Sequence, residues 1–61
     1  MIQALLKDGP LEGKPVEVDP VAGRPPATID LPSDDGDTYR YCLADWEQEG
    51  HSAVYTFLYS V

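Results

Sequence analysis

The sequence predicts an all-β protein, a small five-stranded antiparallel meander that forms an open or half-closed barrel. Three observations lead to this fold class. Six prolines and five glycines are spread along the chain and leave few windows long enough for a helix. Apolar and polar residues alternate over several short segments, which is the period of a β-strand. Polar segments rich in turn-forming residues separate most of these strands.

The first three strands are predicted at residues 2–7, 16–19 and 28–31. In the second and third, valine or isoleucine alternates with a carboxylate, which is typical of an antiparallel sheet with one face in water. Pro15 indicates that the second strand begins there at an exposed edge, because proline cannot donate to a strand ladder.

The fourth and fifth strands are predicted at residues 38–45, with an extension to Trp46 left open, and at 53–59. Both are apolar on two faces, so we expect them to be central in the sheet or covered on the second face. A short helix over residues 42–49 is kept as a local alternative. The predicted rows are Tyr39, Tyr41 and Leu43 against Cys42, Ala44 and Trp46, and Ala53, Tyr55, Phe57 and Tyr59 against Val54, Thr56 and Leu58.

The predicted turns connect these strands. The stretch DGPLEG at 8–13, followed directly by Lys14, has the glycines and the lysine of a phosphate loop, but a strand follows it where a phosphate loop needs a helix. It is therefore predicted to be the turn of the first hairpin. Residues 33–38 predict a second hairpin turn around Asp35-Gly36, and 47–52 a polar loop with Gly50 as its left-handed residue. No regular element is predicted for residues 19–27.

Length and charge bound the function. The 61 residues predict one small domain over 1–61, and a domain of about this size is marginally stable alone. A single cysteine excludes an internal disulfide, so we expect a homo-oligomer or docking onto a larger assembly. The net charge of −7 argues against direct binding to nucleic acid or membranes. Neither a signal peptide nor a membrane span is predicted, which favours a cytoplasmic or virion location.

The candidate catalytic and metal-binding residues do not form a recognisable motif. The acids of DDGD at 34–37 lack the spacing of a calcium loop and predict an exposed hairpin tip. His51 has no paired ligand of the kind that zinc needs. Cys42 lies in mid-strand and is predicted to be a buried structural residue rather than a nucleophile. No cofactor, metal or enzymatic activity is predicted.

The aromatic residues suggest a protein interface. All six lie in the last 23 residues, and a chain this small can hardly bury both faces of the last hairpin. Tyrosine and tryptophan are enriched at protein interfaces. Between residues 30 and 49 there are also seven acids against Arg40 alone. The predicted contact residues are Trp46, Val54 and Leu58, with the nearby acids Asp34, Asp35 and Asp37.

Four short motifs occur in a characteristic order: Gly9-Pro10-Leu11-Glu12-Gly13, Val16-Glu17-Val18, Tyr39-Arg40-Tyr41 and Tyr55-Thr56-Phe57. This order resembles that of short uncharacterised β proteins of actinobacteria and their phages. The turn in such proteins often has two glycines before the proline, and here Asp8 takes the place of the first. The resemblance implies no activity, but it favours a structural role in a phage.

Two functions are therefore expected. The first is a non-enzymatic protein-binding module, acting as an accessory structural subunit of a phage particle such as a minor capsid, decoration or connector protein. The alternative is an acidic inhibitor that mimics nucleic acid and occupies the basic groove of a nuclease or DNA-binding protein.

Overall fold

A computed structural model describes residues 1–47 and 51–61. It contains five strands that correspond to the five predicted ones within two residues at each end. In chain order they are β1 (Ile2–Leu6), β2 (Pro15–Val18), β3 (Thr28–Pro32), β4 (Thr38–Glu47) and β5 (Ser52–Ser60). The helix considered over residues 42–49 is wrong as far as Glu47, because β4 continues to that residue. In the part of the chain that the structure describes, no helix is long and apolar enough to cross a membrane.

The five strands form one mixed sheet in the order β2-β1-β5-β4-β3, curled into a half-barrel. The predicted antiparallel meander is wrong in one respect. β5 returns to lie beside β1, and these two strands run parallel, with Ala4 opposite Ala53. The other three pairings are antiparallel. β4 and β5 are inner strands, as their two apolar faces predict, whereas β2 and β3 form the edges.

The core lies on the concave face, here called the core face. Each strand contributes alternate residues to it, because successive side chains of a strand point to opposite faces. Tyr41, Tyr55 and Leu6 are its largest fully buried side chains. Tyr39 and Tyr41 pack edge-on against Phe57, with ring centroids 5.9 and 5.5 Å apart. The buried hydrophobic residues of this core are Ile2, Ala4, Leu6, Tyr41, Ala53 and Tyr55.

Two irregularities in the β4–β5 ladder change which face a side chain occupies. Tyr41 pairs with Phe57 and Arg40 with Tyr59, so Leu58 is an extra residue in β5. Ala44 is the extra residue in β4, between Leu43 and Asp45. A shift of one residue moves every following side chain to the opposite face. The predicted rows are therefore wrong beyond each bulge.

The turns agree with their predicted chemistry. Gly13 and Gly36 adopt positive φ angles of 81° and 92° at the first and second hairpin turns. In the second turn, the Ser33 N–H donates to the Asp37 carbonyl (2.8 Å). The long 19–27 connection is more ordered than expected. Val21 and Arg24 exchange two backbone hydrogen bonds of 2.7 and 3.1 Å around the left-handed Ala22-Gly23 pair.

Candidate interaction surface

The β1–β2 turn folds over the core and is fixed there by Tyr41. The buried Tyr41 hydroxyl donates to the Asp8 carbonyl (2.9 Å) and accepts from the Leu11 N–H (3.0 Å). Gly9 lies against the same ring and against Phe57, with a φ of 78°. A Cβ atom on Gly9 would lie 2.5 Å from the Phe57 Cβ and 2.7 Å from the Tyr41 hydroxyl. The stretch that resembled a ligand loop therefore closes the open side of the half-barrel.

Asp8 fastens the same turn to β5. Its partly buried carboxylate accepts hydrogen bonds from the Phe57 N–H (2.7 Å) and from the Thr56 hydroxyl (2.8 Å to Oδ2). These bonds hold the pKa of Asp8 below its ordinary value of 3.8, the Phe57 N–H having the largest effect. The residue that departs from the double-glycine pattern is thus a structural anchor.

Tyr55 fixes the second long loop. Its hydroxyl donates to the Pro26 carbonyl at 2.6 Å, and burial raises the pKa of Tyr55. The Leu43 N–H donates to the Ala27 carbonyl at 2.8 Å nearby. Tyrosine hydroxyls on the core face therefore hold both long loops. The opposite, convex face of the sheet is here called the outer face.

An apolar row crosses the outer face. The register places Pro15 beside Leu5, and Leu5 beside Val54. We call these three residues the outer strip. Leu5 is 54% exposed although it lies on an inner strand of the sheet. The strip lines an open groove of about 520 Å³, and among the described residues that line it Glu17 is the one with a charge. An exposed apolar row on a central strand is the kind of surface that proteins bind through.

The structure separates the three apolar residues predicted as contacts. Val54 belongs to the outer strip and is half-buried. Trp46 does not join it, because the Ala44 bulge places Trp46 opposite Ala53 on the core face, where it packs against the core. Leu58 is 42% exposed at the other bulge. The three residues therefore do not lie together in one patch, and their role as contacts stays a prediction.

The predicted acidic contact residues lie together at one exposed hairpin tip. Asp34, Asp35 and Asp37 are all exposed in the β3–β4 turn, as predicted. The Asp35 carboxylate accepts from the Ser33 hydroxyl and from the Asp37 N–H (3.2 Å), and these bonds lower the pKa of Asp35. None of the three acids forms an ion pair with a described residue.

Arg40 does not neutralise this tip, because it is held by Asp30. Its Nε and second guanidinium nitrogen donate to the two Asp30 carboxylate oxygens at 2.7 and 3.0 Å. Its third nitrogen donates to the Tyr59 hydroxyl (3.0 Å), with the guanidinium 5.5 Å from the centre of that ring. The Asp30 carboxylate raises the pKa of Arg40, and Arg40 lowers that of Asp30. The β4–β5 bulge makes this possible by placing Tyr59 opposite Arg40.

The residues considered for catalysis or metal binding do not converge. Cys42 pairs with Thr56 and is partly exposed, so it is not the buried residue that was predicted. His51 lies before β5, whose first residue, Ser52, is already four residues from Thr56, roughly 13 Å along a strand. Among residues 1–47 and 51–61, no three His, Cys, Asp or Glu side chains are grouped as a metal site requires. Gly50, predicted as a left-handed residue, lies outside the described residues.

Sequence reasoning missed Leu5 and Asp8. Leu5 carried a usable signal, because it is out of phase with the alternation of Ile2, Ala4 and Leu6 and so had to face outward. Asp8 carried none, since its partners Thr56 and Phe57 lie 48 and 49 residues away along the chain.

These features describe a small, acidic, single-sheet β protein with an exposed apolar strip. Comparison of the chain with protein-family models, with curated protein sequences and with solved structures gives no match.

Proposed function

We propose that the chain is a non-enzymatic protein-binding module that serves as a small accessory structural subunit of a larger assembly. A phage particle, with the chain as a minor capsid, decoration or connector protein, is the most concrete form of this function. The observation that supports it best is the outer strip of Pro15, Leu5 and Val54, whose central residue is 54% exposed on an inner strand.

The size of the strip favours a many-copy assembly over a tight binary complex. Removing apolar surface from water contributes about 25 cal/mol per Å². Three side chains supply only a small part of the 1,200–2,000 Å² that a stable interface typically buries. Repeated sites on a shell or ring compensate for such weak individual contacts, because each bound copy raises the effective concentration of its neighbours.

Charge supports the same function. A net charge of −7 on 61 residues keeps free subunits apart and favours a partner with a basic surface. The resemblance to short phage-encoded β proteins adds to this. Both features suit a subunit that stays separate until it meets its larger partner.

The test compares two variants that add the same charge to the same face of the sheet. Leu5→Glu puts a carboxylate in the outer strip, and Thr28→Glu puts one on the exposed part of edge strand β3. We expect Leu5→Glu to prevent incorporation of a tagged chain into particles of the phage or cell that encodes it. Thr28→Glu is expected to incorporate as the unmodified chain does. Wild-type chain that sediments only as a free subunit in its source, or equal incorporation of both variants, would contradict the proposal.

A second function, an acidic inhibitor that mimics nucleic acid, is favoured by one specific observation. Asp34, Asp35 and Asp37 lie exposed within four residues, and the nearest base in the sequence, Arg40, is bound to Asp30. Such a tip could occupy the phosphate site of a basic groove. Its binding should weaken steeply with salt. If changing the three acids together to asparagine leaves binding to a basic target unaffected, this function is ruled out.

A further inference from the structure

The free edge of β2 has a defined set of hydrogen-bonding groups. The N–H groups of Gln3 and Lys7 donate towards β5, to the His51 and Tyr55 carbonyls, each at 3.0 Å. Backbone groups of a strand alternate in direction, so the N–H and C=O groups of Ile2, Ala4 and Leu6 point towards β2. Val18 and Val16, the antiparallel partners of Ile2 and Ala4, are therefore hydrogen-bonded residues of β2. The intervening residue, Glu17, directs both its N–H and its C=O away from β1, at the edge of the sheet.

The side chains of β2 also lack a neighbouring strand on the edge side, on both faces of the sheet. Glu17 is exposed on the outer face, and its carboxylate forms no ion pair with a described residue. Val16 and Val18 pack against the core from the opposite face but stay half-exposed at the edge. An added strand would extend both faces at once, covering the two valines on one side and meeting Glu17 on the other.

The opposite edge is less suited to strand addition. The Leu43 N–H donates to the Ala27 carbonyl, and the Ser33 N–H donates to the Asp37 carbonyl. The odd-numbered residues of β3 are therefore the ones hydrogen-bonded to β4. The outward residues are therefore Thr28, Asp30 and Pro32, of which Pro32 has no N–H. Both carboxylate oxygens of Asp30 are already bound to Arg40. β2 is thus the edge with a free donor, a free acceptor and a free charge on one residue.

We propose that β2 is a docking edge for an extended, basic segment of a partner protein, which adds to the sheet as a sixth strand. The segment carries a lysine or arginine opposite Glu17, with an apolar residue on each side of it to cover Val16 and Val18. Strand addition of this kind takes its affinity from main-chain hydrogen bonds and its specificity from alternate side chains. This inference rests on the proposed function, because it names the chemistry of the partner at the edge next to the outer strip.

A second copy of the chain is a poorer occupant of the same edge. A two-fold pairing of β2 with β2 centred on Glu17 would place two glutamates directly opposite each other, and like charges in that position are destabilising. Two copies, each with a charge of −7, also repel at longer range.

The test uses a synthetic peptide, acetyl-Thr-Val-Lys-Val-Thr-amide, added to the ¹⁵N-labelled full chain and followed by NMR. We expect saturable shifts centred on the Glu17 and Asp19 amides. The matched peptide with glutamate in place of lysine should bind about fivefold more weakly. A third peptide, methylated on the lysine backbone nitrogen, should lose most of its binding because it cannot donate to the Glu17 carbonyl.

The chain supplies a matched pair of variants. Glu17→Lys should reverse the preference, so that the glutamate peptide binds more tightly than the lysine peptide. Asp34→Lys makes the same change in net charge at the distant hairpin tip and should leave the preference as it was. Peptide shifts centred away from β2, equal affinity for all three peptides, or a dimer through β2 that the lysine peptide does not dissociate would each overturn the inference.

Failure of this inference can be distinguished from failure of the proposed function. If Leu5→Glu blocks incorporation into the native assembly but Glu17→Lys does not, the chain is a structural subunit that does not use its β2 edge. If neither the wild-type chain nor any variant incorporates, the proposed function itself fails.

Discussion

Replacing Gly9 with alanine is expected to destabilise the fold by about 2–5 kcal/mol, the sum of two effects. The backbone effect comes from a φ of 78°, which costs a residue with a Cβ roughly 1–2 kcal/mol. The contact effect arises because the new Cβ would lie 2.5 Å from the Phe57 Cβ and 2.7 Å from the Tyr41 hydroxyl. Relief of such overpacking typically costs about 1–3 kcal/mol.

Gly13→Ala is the matched control for this variant. Gly13 lies in the same turn at a φ of 81°, and a Cβ there would have no atom of residues 1–47 or 51–61 within 4 Å. It should therefore lose only the backbone part, roughly 1–2 kcal/mol. A domain of this length has a total stability of about 3–9 kcal/mol, so Gly9→Ala is expected to remove a large fraction of it.

Urea unfolding followed by far-ultraviolet circular dichroism measures both losses on one scale, from the midpoint and the slope. The difference between the two variants isolates the contact of Gly9 with Phe57 and Tyr41. If Gly9→Ala and Gly13→Ala lose equal stability, the turn does not pack on the core as described. A change in the slope would indicate instead that the variant alters the unfolded state.

Three further outcomes are expected. Tyr41→Phe should lower the free energy of unfolding by about 1–3 kcal/mol, because the Asp8 carbonyl and the Leu11 N–H lose their partner. If the measured loss is no larger than that of a typical exposed substitution, these two hydrogen bonds do not stabilise the turn as described. Asp8 has a folded-state pKa below 3.8, so the stability it contributes is present above that pH and is lost as the pH falls through the folded value. Urea midpoints measured between about pH 5 and pH 2 should therefore fall more steeply for the wild-type chain than for Asp8→Asn, and parallel curves would refute the anchor. Trp46→Ala should cost roughly 2–4 kcal/mol, because Trp46 packs on the core, whereas Leu58→Ala should cost less than about 1 kcal/mol; the reverse order would place Trp46 on the outer face.

Local chemistry made the five strands and most turns predictable. Alternation located each strand to within two residues, and Asp35-Gly36 identified the second hairpin turn. Pro15 correctly indicated an edge, since its missing N–H cannot serve an inner strand. These features depend on a few neighbouring residues, so they can be inferred from a short window of sequence.

The site was less predictable because it depends on register. The alternation of β4 favours Trp46 on the face of Cys42, and only the bulge at Ala44 moves it to the core. The bulge at Leu58 has the same effect on Tyr59, which joins Arg40 instead of Phe57. A bulge is a property of two paired strands, so neither strand's sequence reveals it alone.

Propensity, alternation and turn chemistry act over a few residues, so the all-β class, the strand positions, the acidic hairpin tip and the edge at Pro15 were predictable. Three features emerge only in the folded sheet: β5 pairs parallel with β1, DGPLEG closes the core over Tyr41, and Pro15, Leu5 and Val54 form one row. Each of these contacts joins residues that are apart in the chain, and it forms only when the strands between them are in place. Burial and strand pairing are collective, whereas the signals in a sequence are local.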